Sequence, residues 1–168
     1  VLSGEPVSHI KPNYQISQRL QGLRLLVVED NALNRQVAQE LLMGEGAEVA
    51  LAEGGQQGID SVMSAQERGF DAVLMDIQMP GIDGIEATRL IRQDNRFSDL
   101  PIIAMTANAS AADRESCLAA GMSDHIGKPI DLEKMVATLL HWVGRPAQAM
   151  QTYTEPGDPA TENTEAVL

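Results

Sequence analysis

Four short stretches end apolar runs on side chains that can do chemistry. "LRLLVVED" closes on Glu29 and Asp30, "FDAVLMD" on Asp76, "PIIAMT" on Thr106, and "HIGKP" on Lys128 and Pro129. Carboxylates that converge on one pocket repel one another, which raises their pKa values unless a cation sits among them. Hard oxygen ligands in a small cluster suit Mg2+, which keeps several waters and accepts a phosphate oxygen. A hydroxyl and a lysine opposite such a cluster are the natural surroundings of a transferring phosphoryl group, whose oxygens need neutralising from several sides. Carboxylates act as nucleophiles in aspartyl-phosphate chemistry, and Asp76 is the best-placed candidate.

That chemistry requires elements that bring the four run-ends to one edge. Five strands are expected, over Leu23 to Glu29, Glu48 to Ala52, Phe70 to Met75, Pro101 to Thr106 and His125 to Gly127. Helices are expected between and after them. The first spans about 33 to 43, with Leu33, Val37, Leu41 and Leu42 on one stripe, and stops at Gly44 and Gly46. The second covers about 55 to 67 and the third about 84 to 93, where Asp83 and Glu86 read as favourable charges at a helix start. A fourth begins after Ser110 and ends near Gly121; the last covers about 132 to 143 with Asp131 as its N-cap. Strands apolar on both faces, alternating with helices, argue a parallel sheet covered on both sides, a (βα)5 doubly wound α/β domain. Ligands of such sheets bind beyond the carboxyl ends of the strands, where the candidate residues stand.

Composition limits the alternatives. The chain has 168 residues, 43% hydrophobic and 21% charged, with a formal net charge of -12. No cluster of Lys and Arg of the kind that follows a phosphate backbone is present, so direct nucleic-acid binding is not expected. The single cysteine, Cys117, cannot form an internal disulfide, and no apolar stretch approaches the roughly 20 residues that span a bilayer. A cytoplasmic setting is expected, as is origin as a fragment of a longer protein, since the chain starts at Val1 without a signal-peptide pattern. Residues 1–21 have the mixed composition of a linker, 22–145 form the expected folded domain, and 146–168 read as an acidic flexible tail.

The runs "VVEDNALNRQVAQELL", "DAVLMDIQMPGIDG", "PIIAMTANA" and "CLAAGMSDHIGKPID", in that order and spacing, resemble a response-regulator receiver domain, most closely the receivers of hybrid sensor histidine kinases. The similarity covers about residues 22 to 143. It implies a flavodoxin-like, five-stranded sheet of order 2-1-3-4-5. It further implies that Asp76 is the phosphoacceptor, that Asp30 ligates Mg2+ directly and Glu29 through water, and that the backbone carbonyl of Gln78 is a further ligand. Thr106 and Lys128 would engage the phosphoryl group, and the Lys128–Pro129 peptide would be cis. Gln78 and Asn108 would border the path of hydrolytic water and tune phosphate lifetime. The family's switch aromatic is replaced here by His125, which is smaller and can change charge near neutral pH. The implied partners are a histidine kinase domain or a histidine-containing phosphotransfer domain. The implied activity is self-catalysed aspartyl phosphorylation and dephosphorylation within a parent histidine kinase. The implied output face comprises the fourth helix, the fifth strand and the fifth helix.

Two other readings fit the sequence less well. A flavodoxin-like cofactor module would want a Ser/Thr/Gly-rich phosphate cradle after the first strand, where "EDNALN" presents acids instead. A receiver-like scaffold that is never phosphorylated would not need the full acid, hydroxyl and lysine set. Among the remaining residues, Cys117, Met43, Met63, Met75 and Met105 are expected in the core, and Trp142 as a packing anchor. His9, His125 and His141 lack the surroundings of a kinase dimerisation helix, so the chain is expected to receive phosphate, not originate it.

Overall fold

The computed structural model describes residues 18–65, 69–107 and 110–143. Five parallel strands, β1 (Arg24–Val28), β2 (Glu48–Ala52), β3 (Ala72–Asp76), β4 (Ile102–Thr106) and β5 (Asp124–Gly127), form one sheet of order β2-β1-β3-β4-β5. Helices α1 (Ala32–Gly44), α2 (Gly55–Ser64), α3 (Gly84–Arg92), α4 (Ala111–Ala120) and α5 (Leu132–Val143) alternate with them. The doubly wound fold and strand order expected from the sequence are therefore present. The elements sit within a few residues of their expected bounds; β3 starts two residues later and ends on Asp76 itself.

Alternation along the buried strands splits the core in two. Leu25, Val27, Leu74, Ile103 and Met105 meet Leu42, Met135, Val136 and Leu139 on the α1 and α5 face. Leu26, Val28, Val73, Met75, Ile102 and Ala104 meet Ile59, Val62, Ala87, Ile91 and Cys117 on the other. Burying one such aliphatic side chain is worth about 1.5–3 kcal/mol, so the central strands are the least deformable part of the molecule. Their carboxyl ends are correspondingly fixed.

Two sequence expectations about faces do not hold. Leu33 and Val37 are 67% and 42% exposed, and the face that α1 buries is Ala38 with Leu42. The small Ala38 lets the helix approach the sheet, which turns the Leu33 and Val37 edge outward. Met43 is likewise exposed at the end of α1, not core. Asp83, by contrast, is the N-cap of α3, its carboxylate accepting from Glu86 N at 2.8 Å. Ser110 and Asp131 accept in the same way at the starts of α4 and α5.

The fold begins before residue 22. Leu20 is fully buried, and Arg19 forms ion pairs of 2.8 Å with both Glu45 and Glu133, clasping the end of α1 to the first turn of α5. Residues 1–17 of the expected linker and the whole 146–168 tail lie outside the described residues.

Gly84 sets the close approach of α3 to the end of β3. A Cβ there would overlap the Asp76 carbonyl oxygen and lie 2.8 Å from Ile77 Cα. Backbone, unlike a side-chain tip, cannot give way cheaply. We expect Gly84→Ala to lower stability by about 1–3 kcal/mol, the usual cost of overpacking, read from the urea midpoint at unchanged m-value.

Candidate functional site

Three carboxylates gather at the carboxyl edge of the sheet. Glu29 directly follows β1, Asp30 comes next, and Asp76 is the last residue of β3. One ligand atom from each lies within 4.8 Å of the others. Glu29 and Asp76 are each only 2% exposed, while Asp30 stands at the solvent rim. Lys128, just past β5, faces the buried pair, its Nζ 3.1 Å from Glu29 Oε1 and 3.2 Å from Asp76 Oδ1.

Local structure sets this arrangement. The β1–β3 pairing aligns Val28 with Met75, which brings Glu29 and Asp76 to the same height on adjacent strands. Asn31 then starts α1: its side chain accepts from Asn34 N at 2.9 Å while its own N–H donates to Glu29 Oε2 at 3.1 Å. Gln78 N–H donates to Asp76 Oδ1 at 3.1 Å. Thr106 ends β4 beside β3 and is buried, and its carbonyl accepts from Lys128 N at 2.9 Å, which anchors the lysine's backbone. The Lys128–Pro129 peptide is cis.

Charge is unbalanced in this pocket. Burial pushes the Asp76 carboxyl up to about 6, with the neighbouring Glu29 charge adding to it; the Gln78 N–H and Lys128 work in the other direction. Burial pulls the Lys128 ammonium down, but the Glu29 and Asp76 carboxylates beside it outweigh that and leave its pKa raised. Glu29 Oε1 is buried and makes no well-angled hydrogen bond among the described residues, with Lys128 beside it only as an ion pair. An all-oxygen donor set with an unsatisfied buried oxygen and surplus negative charge fits a hard divalent cation.

Not every residue near the strand ends, or singled out in the sequence, joins the cluster. Glu53, after β2, is exposed and faces Arg35 Nη2 at 3.7 Å. His125 lies further down β5, in register with Ala104, partly exposed and with Nδ1 3.8 Å from Asp124 Oδ1. The side chain of Gln78 is exposed, and Asn108 lies outside the described residues. Trp142 is 38% exposed and donates from Nε1 to Asp124 Oδ2 at 2.9 Å.

Sequence reasoning missed the groove beside the pocket and the residue behind it. Glu29, Leu33, Asn34, Val37, Lys128, Pro129 and Ile130 line a cavity of about 210 Å3 that opens next to the acids. Arg35 donates to the Glu29 carbonyl at 2.8 Å. A basic residue in a helix's first turn carries no sequence signal that separates such a bond from a solvated charge.

Fold and acidic edge define a class, and comparison with known proteins agrees. Residues 25–140 match the response regulator receiver domain model, and the chain belongs to that family. It is 44% identical over 124 residues to the sensor protein GacS of Pseudomonas syringae pv. syringae, a match covering 72% of this chain and 13% of that protein. The chain thus spans a small part of the curated relatives it matches. The receiver domain of sensor histidine kinase PA1611 from Pseudomonas aeruginosa PAO1, solved with magnesium coordinated in its active site cleft, superposes with a TM-score of 0.67. That match is 41% identical and covers 73% of this chain and 98% of that one. A chain of the co-crystal of the Saccharomyces cerevisiae phosphotransfer protein Ypd1 with the Ssk1 receiver matches at 26% identity and TM-score 0.68, covering 79% and 92%. Among the described residues, no helix is long and apolar enough to cross a membrane.

The raised Asp76 pKa has a consequence for stability. The folded state holds that proton more tightly than the unfolded chain, so the contribution is present below about pH 4 and lost as pH rises through about 6. In EDTA, Asp76→Asn should therefore gain up to about 3 kcal/mol over wild type at pH 7, with the gain vanishing near pH 4. Urea melts across that range check it.

Proposed function

We propose that this chain is the phosphoacceptor receiver of a hybrid sensor histidine kinase, taking a phosphoryl group from a phosphohistidine onto Asp76. The observation that carries the reading is Lys128 Nζ held between Glu29 Oε1 and Asp76 Oδ1 at the rim of a three-carboxylate pocket. A structural ion pair would need one acid, not three.

The cation would be Mg2+, which Asp30, Asp76 and the Gln78 carbonyl would hold directly and Glu29 through water. Its charge, when bound, keeps Asp76 ionised at neutral pH and offsets charge on the phosphoryl oxygens. An Asp76 carboxylate oxygen attacks phosphorus, forming the acyl-phosphate O–P bond as the P–N bond to the donor imidazole breaks. Lys128 turns from its carboxylate partners to the incoming phosphoryl oxygens, and the Thr106 hydroxyl donates to another. Both residues then report the added charge of about -2 to β4 and β5. The output face is α4, β5 and α5, with His125 at the switch position, and Gln78 and Asn108 tune how long the acyl phosphate survives.

The donor is a histidine kinase domain or a histidine-containing phosphotransfer domain. Its helix docks against the outward edge of α1, where Leu33 and Val37 stand exposed beside Pro129 and Ile130. Exposed apolar residues contiguous with a reaction site favour a protein partner there. The setting we propose is the cytoplasmic part of a larger sensor.

Two experiments test this. Incubation with Mg2+ and acetyl phosphate should add the mass of one phosphoryl group to wild type and none to Asp76→Asn; an unmodified wild type would sink the reading. Val37→Glu should slow transfer from a phosphorylated phosphotransfer domain by about tenfold or more while leaving the acetyl phosphate rate within about twofold, because only a docked protein meets that residue.

A further inference from the structure

Behind the acidic pair stands Arg35, in the first turn of α1. Its Nη1 donates to the Glu29 carbonyl at 2.8 Å and lies 3.4 Å from the Asp30 carbonyl. Its Nη2 faces Glu53 Oε2 at 3.7 Å, beyond the end of β2. The Arg35 side chain is only 16% exposed. A planar guanidinium with several donors in fixed geometry can hold such a set at once, which a flexible ammonium cannot.

The location matters because the ladder no longer fixes the chain there. Glu29 N donates to the Ala52 carbonyl at 3.1 Å, the last backbone bond between the β1 and β2 exits. Two residues later, Asn31 caps α1. Between these points the backbone torsions decide where the Glu29 and Asp30 carboxylates aim, and the Arg35 fork bonds that stretch. A charged donor makes the stronger kind of hydrogen bond to a carbonyl.

We propose that Arg35 is a positioning residue for the divalent-cation site: by fixing the Glu29 and Asp30 carbonyls it aims both carboxylates into the pocket shared with Asp76. This rests on the cation reading given above. By charge alone Arg35 would act in the opposite sense, since a cation near the pocket weakens binding of another. The two effects differ in sign, so substitution separates them. Arg35→Lys keeps the charge and loses the fork; Arg35→Gln loses both.

The test uses the full chain and two readouts, the Mg2+ dissociation constant by calorimetry and the melting temperature in EDTA. Arg35→Lys and Arg35→Gln should each weaken Mg2+ binding by about tenfold or more, the usual effect of losing a group that orients metal ligands. Glu53→Gln should stay within about twofold, because that carboxylate is exposed. Mg2+ affinity within about twofold of wild type in Arg35→Lys, or tighter in Arg35→Gln, would overturn the proposal. So would a drop in EDTA melting temperature with unchanged Mg2+ affinity, the mark of a purely structural role. If Arg35→Gln does not fold, Arg35→Lys decides alone. A wild type that binds no Mg2+ would overturn the cation reading itself and this proposal with it, so the two failures are told apart.

Discussion

The pocket depends on one electrostatic constraint: two buried carboxylates, Glu29 and Asp76, share the Lys128 ammonium while a third, Asp30, stands at the rim. Like charges within about 5 Å repel by roughly 3 kcal/mol at the effective dielectric of a partly buried site. Lys128 touches both Glu29 and Asp76, yet burial and the Glu29 charge still push Asp76 up to about 6. The arrangement is a poor structural ion pair and a good receptor for positive charge. It persists because the elements around it are rigid where it is not.

That rigidity comes from the sheet and from close backbone contacts. β1 and β3 are buried on both faces, so their carboxyl ends move little relative to one another. Gly84 lets α3 rest on the Asp76 carbonyl, and Gly58 lets α2 close on Val28, where a Cβ would lie 2.8 Å from a valine methyl. The packing of the strands therefore sets the spacing at which the acids meet. Repulsion is stored by the packing of the strands, and binding of a cation would relieve it.

Much of this was legible in the sequence, for physical reasons. Short runs such as "AVLMD" and "IIAMT" are apolar on both faces, which, in alternation with helices, suits a covered parallel strand, and the residue ending each run then reaches the sheet's edge. The site's composition followed from that, while strand order came from the family resemblance. Helix orientation followed from neither. Leu33, Val37, Leu41 and Leu42 suggested one buried stripe, but Ala38 decides how α1 sits, and two of the four became the wall of a groove. Arg35 was indistinguishable from a solvated charge because its partners are carbonyls, which every residue carries. Met43 lies at the end of α1, where the core no longer reaches it.

In the proposed function a phosphoryl group is transferred to one carboxylate, Asp76, in a cation-dependent way. The most direct measurement is to react the chain with a phosphorylated histidine-containing phosphotransfer domain, reduce the acyl phosphate with borohydride, and locate the resulting homoserine by peptide mass spectrometry. Homoserine is expected at position 76 with Mg2+ present, and little with EDTA. Homoserine at Asp30 or elsewhere, or equal yield in EDTA, would contradict it.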